Sequence, residues 1–124
     1  MFAAGYCLAQ STVQVGVPGL LFEVGTDPGT PIYEVTSIFV ANTDTSARSF
    51  SMYYVRDGAS PVQTNALWFF KTLAANDTFI WQAQAPGGGI FMERGSSLYA
   101  ISSTPNVVVA SVFGMSSNVG GTNG

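Results

Sequence analysis

Apolar and polar side chains change places every second residue along much of this chain. From Ser11 to Val17, Val13, Val15 and Val17 alternate with Thr12, Gln14 and Gly16, the spacing of a strand with one buried face. Pro18-Gly19 interrupts it, Leu20 to Val24 makes a short apolar strand, and 25–31 (GTDPGTP) is a loop. Ile32 to Ala41 is rich in β-branched and aromatic residues, and its second half is apolar on both faces, as in a strand covered on both sides. After the polar turn Asn42 to Ser46, Arg48 to Arg56 resumes with Phe50, Met52 and Tyr54 on one face, which predicts a hairpin between these two strands.

Asp57-Gly58-Ala59-Ser60-Pro61 is strong turn chemistry, and further strands are predicted at Leu67 to Thr72, Thr78 to Gln82, Ile90 to Met92, Leu98 to Ser102 and Val107 to Met115. Leu73-Ala74-Ala75 is expected to bend between two of them. The spacing predicts seven to nine short strands and no helix longer than a turn. That pattern specifies an all-β fold, a single antiparallel β-sandwich or jelly roll over residues 11–115. Residues 1–10 are expected to form an N-terminal arm, and the uncharged, glycine-rich 116–124 a flexible tail.

Composition narrows the function. The 124 residues carry four basic and seven acidic side chains, 9% charged, where soluble domains average about 25%. With no basic stripe to neutralise phosphates, nucleic-acid binding is not expected, nor is a cationic membrane-surface helix. No apolar stretch reaches about 18 residues, and the apolar start from Met1 to Leu8 lacks the positive flank of a secretory signal. The single Cys7 has no partner for an internal disulfide.

Histidine is absent, which removes the commonest general base and metal ligand together. Lys71 follows an aromatic run without a Ser-x-x-Lys context. The carboxylates are scattered singly, and Asp27, Asp44, Asp57 and Asp77 sit where turns favour Asp. No enzyme, cofactor or metal is expected. Gly87-Gly88-Gly89 lacks the Lys-Ser/Thr of a phosphate cradle and is a plain hairpin loop.

Aromatic residues, 13% of the chain, are the remaining candidates. Trp68, Phe69 and Phe70 are consecutive, so a regular strand sends Trp68 and Phe70 to one face and Phe69 to the other; Tyr53 and Tyr54 divide likewise. The contacts expected to meet another chain are Phe2, Tyr6, Tyr53, Trp68 and Phe70. A sugar-stacking platform of Trp68, Trp81 and Tyr53 is a weaker alternative. A small monomer keeps roughly 25–35% of its surface charged. An exterior this neutral suits permanent contact with neighbours, hence an assembly subunit.

The order of segments resembles the small β-sandwich proteins of tailed-bacteriophage virions. The likeness is carried by 35–42 (VTSIFVAN), 51–55 (SMYYV), Leu73 to Phe79, and Gly95-Ser96-Ser97-Leu98 with Val107 to Gly114. It covers about Leu20 to Gly114 as a pattern of strands and turns. The resemblance implies a virion component that is a homo-oligomer, commonly a trimer or ring, without catalytic residues. Within that set, the apolar N-terminal segment and uncharged C-terminal arm favour a capsid cement (decoration) protein that binds the major capsid protein shell. A neck, tail or fibre subunit is the alternative.

Overall fold

A computed structural model describes residues 6–117 apart from Pro86. Its strands are β1 (Tyr6–Thr12), β2 (Gly19–Glu23), β3 (Ile32–Asn42), β4 (Arg48–Val55), β5 (Ala66–Leu73), β6 (Thr78–Gln82), β7 (Ile90–Met92), β8 (Ser97–Ser102) and β9 (Val108–Ser117), with one 3-10 turn at Gln63–Asn65. Pairing is nested and antiparallel: β4 with β5, β3 with β6 and β7, β2 with β8, β1 with β9. This folded-over ribbon is stitched by β3–β9 and β4–β8 into two sheets, ordered β1-β9-β3-β6 (sheet A, with β7 continuing beyond β6 along β3) and β2-β8-β4-β5 (sheet B). The chain is an antiparallel β-sandwich with the strand order of a jelly roll.

The inward rows meet in one apolar layer, with Val35, Ile38, Val40, Val108, Ala110 and Val112 from sheet A facing Phe50, Met52, Leu98 and Ala100 from sheet B. A β-bulge at Thr36 shifts the inward row of β3 from odd to even positions, which is why Val35 and Ile38 are both buried. There β9 passes so close that a Cβ at Gly114 would collide with the Glu34 carbonyl.

Four expectations are corrected. The segment expected as an arm becomes a strand from Tyr6 onward, hidden in the sequence because a bulge between Cys7 and Ala9 breaks its alternation. Val13 to Val17 instead crosses between the sheets, with Val13 buried and Val15 bridging to Ser102. Ser116 and Ser117, assigned to the tail, belong to β9, while 1–5 and 118–124 lie outside the described residues. And β3 and β4 do not form a hairpin: the 43–47 loop carries the chain from sheet A to sheet B, because a strand's partner in a folded-over ribbon is the one nested with it.

That crossover is held by Asn42, only 2% exposed. Its Nδ2 donates to the carbonyls of Ser46 (2.9 Å), Ala74 (3.0 Å) and Leu73 (3.3 Å), and its Oδ1 accepts the Asp44 N–H (3.0 Å). One amide thus ties the β3–β4 crossover to the β5–β6 turn at the same end of the sandwich. Asn42→Ala strips these backbone groups of their partner and is expected to cost about 2–4 kcal/mol, measured as a shift in chemical denaturation midpoint. A loss below about 1 kcal/mol would show that the latch is dispensable.

Candidate assembly interface

Charge is sorted by position in this fold. Asp44, Arg48 and Asp77 lie at one end of the sandwich, and Glu23, Arg56, Asp57, Glu93 and Arg94 at or beyond the ends of β2, β4 and β7. At the first end, Asp44 Oδ2 accepts from Arg48 Nε at 2.9 Å. That guanidinium, helped by the Thr45 N–H, holds the Asp44 carboxyl below its ordinary value. The pair therefore contributes at neutral pH and is lost as pH falls through the depressed value, but it lies at the surface, only partly covered, and is weak. Arg56 and Glu93 form a looser pair at 3.7 Å. Among the described residues, no three of Cys, Asp and Glu gather as a metal site would require.

With charge at the ends, the outer face of sheet A is almost bare of it. Register places three rows across the four strands: Gln10, Ser111, Phe39 and Ile80; Cys7, Phe113, Ser37 and Gln82; Thr12, Val109, Ala41 and Thr78. Phe39 and Phe113 meet edge to face at 5.7 Å. A fourth row beyond the bulge holds Phe91, Met115 and Glu34, the one charge on the face. Its Oε2 accepts the Gly89 N–H at 3.0 Å. Two shallow depressions of about 650 and 470 Å³ share Thr36 and Ser37 here. Polar groups on the face are partly paired with one another: Gln10 Nε2 donates to Ser111 Oγ at 2.9 Å, and Thr36 Oγ1 to the Phe113 carbonyl at 3.4 Å.

The second exposed feature is on β5, an edge strand of sheet B. Phe50 opposes Lys71 and Met52 opposes Trp68, so Phe69 and Phe70 together face the single Ser51. This bulge puts Phe70 in the left-handed region (φ 54°), with its N–H donating to Ser51 Oγ at 2.9 Å. Both rings consequently point to solvent, 4.4 Å apart, with Phe70 68% exposed.

Of the expected contacts whose side chains are described, Tyr53, Trp68 and Phe70, only Phe70 stands out as a free ring. Tyr53 is buried: it faces away from the inter-sheet layer, between its cross-strand neighbours Tyr99 and Ala66. Trp68 turns inward rather than out and is half-buried, edge-on to Phe79 at 5.0 Å and to Trp81 at 6.3 Å, with Phe50 beside them. The bulge is the physical reason, since it breaks the alternation that would have placed Trp68 and Phe70 together. A platform of Trp68, Trp81 and Tyr53 is thereby dismantled, as two of its rings stack inside and the third lies on the opposite face of sheet B. Phe2 lies outside the described residues, and Tyr6 is placed by its backbone alone, opposite Gly114. The sequence reading missed Phe69, Ile80 and Phe91, all exposed. For Ile80 the strict alternation of β6 held the signal.

No protein-family model and no curated protein matches the chain.

Because Trp68 belongs to the aromatic cluster, Trp68→Ala is expected to destabilise the domain by roughly 2–3 kcal/mol, below the 3–5 typical of a fully buried ring. Thermal unfolding of the variant checks this, and an unchanged midpoint would return Trp68 to the surface candidates.

Proposed function

We propose that this chain is a structural subunit of a bacteriophage virion, a cement protein that binds the major capsid protein shell and stabilises it. The observation that carries the reading is Phe70. A bulky residue at positive φ costs on the order of 1–2 kcal/mol, and glycine would make the same bulge without that strain. The ring gains little burial in exchange. An edge-strand bulge and a neighbouring Lys71 serve to blunt unwanted strand pairing, which accounts for the bulge but not for the phenylalanine. Strain retained on an exposed aromatic pair suits a ring that is buried elsewhere, since aromatic anchors dominate binding energy at interfaces.

The neutral exterior supports the same reading. Most of the described charged residues stand at or near the sandwich ends, so covering the outer face of sheet A desolvates little charge. The resemblance to small virion β-sandwich proteins supplies the kind of assembly and its homo-oligomeric form. Jelly rolls also build lectins, so the fold does not choose by itself. A neck, tail or fibre position is the alternative, and location and copy number separate them: a cement protein repeats with the capsid lattice, a neck subunit only with the symmetry of one ring.

Phe70→Gly is expected to raise the melting temperature by a few degrees, a net gain of about 0.5–1 kcal/mol once glycine's larger loss of backbone entropy is set against the relieved strain, and at the same time to weaken binding to particles stripped of the protein. Particles lacking it should release DNA at lower temperature than complete ones. Undiminished binding by the variant, or unchanged heat release, would refute a cementing role.

A further inference from the structure

We infer that the outer face of sheet A is the surface through which two copies of this chain pack, sheet against sheet, about a two-fold axis. The inference rests on the assembly reading and names its self-contact.

Three observations select a second copy as the occupant. First, an isologous contact brings a surface against itself, so any net charge near its centre meets the same charge. The centre of this face, formed by Ser37, Phe39, Ser111 and Phe113, has none, and Glu34 stands in the outermost row with its carboxylate on the Gly89 N–H. A different partner recognised by charge would find nothing to match.

Second, part of the face's polar surface is already paired within the chain. Burying a hydroxyl or amide is costly when its hydrogen bonds to water are not replaced. Here Ser111 already accepts from Gln10, and Thr36 already donates to the Phe113 carbonyl. Such internal pairing also leaves fewer free polar groups for a sugar or another hydroxyl-rich ligand.

Third, the area fits. Four strands about 4.8 Å apart, each offering roughly seven residues at about 3.4 Å, give a projected face of about 450 Å². Two copies would bury on the order of 1,000 Å², the lower bound for a specific interface. Aligned packing of sheets about 10 Å apart and turned by about 30° would set the depression walled by Thr36, Ser37, Phe39 and Phe113 against its own copy. A contact of that size predicts a dimer that dissociates in the micromolar range.

The test is sedimentation equilibrium of the full chain across concentration. The expected result is a reversible monomer–dimer equilibrium. Ser37→Glu and Ser37→Lys should each weaken it at least about tenfold, and an equimolar mixture of the two should restore association, because opposite charges then meet near the axis. Should the Ser37 variants fail to fold, Ile80→Glu at the exposed rim gives the same reading in weaker form, with Phe70→Glu on the other sheet as a control that leaves the dimer unchanged. A single-chain mass at all concentrations, a trimer, or a dimer indifferent to the Ser37 charges overturns the inference. Particle binding without dimerisation would overturn this contact alone. A dimer that binds no particle would leave it standing and remove the virion reading.

Discussion

Each strand of this chain must send one row of side chains into the single apolar layer between two sheets, and the rest of the structure follows from how the opposite row is used. In most small sandwiches that row is charged and faces water. Here sheet A presents mainly Thr, Ser, Gln, Phe, Ile and Val, with Glu34 its one charge, and most other charged residues stand at or near the two ends, where Asp44–Arg48 and Arg56–Glu93 sit. The ends are thus suited to water and the face to contact. Burial of the inward rows sustains the fold. Neutrality of the outward row supports the functional reading that the exposed, strained Phe70 carries.

Much of the architecture was legible because a strand's period of two survives in the sequence. The runs at Leu20, Ile32, Arg48, Thr78, Leu98 and Val107 correspond to strands, and the Asp- and Gly-rich stretches between them to turns. Sheet membership was not legible. A five-residue turn between two strands suggests a hairpin, whereas the 43–47 loop steps between sheets, and only long-range pairing of β3 with β9 and β6 decides that. The strand at Tyr6–Thr12 escaped for a local reason, since a bulge next to Cys7 erased its alternation.

The site shows the same division. That an aromatic of the 68–70 run is exposed follows from the impossibility of burying three consecutive aromatics on one face, and Phe70 is such a ring. Trp68 and Tyr53 depart from expectation because β5 is not a regular strand and sheet B buries side chains on both of its faces. The bulge opposite Ser51 turns Trp68 in while leaving Phe69 and Phe70 out, and Tyr53 is buried on the side of sheet B away from the main layer. Irregularities of the backbone, invisible to a pattern of period two, decide which rings are free. Asn42 is similar: its place in a polar turn was evident, but its role as a four-way latch depends on carbonyls some thirty residues away.

The central claim, that sheet A's outer face is made to be covered, is tested most directly at Cys7, an exposed thiol on that face opposite Phe113. Its alkylation rate should be that of an accessible cysteine in dilute protein. The account predicts a fall of several-fold as concentration rises through the micromolar range, and a comparable fall in the assembled particle. A rate that is the same in dilute solution, in concentrated solution and on the particle would mean that water, not protein, is this face's permanent neighbour.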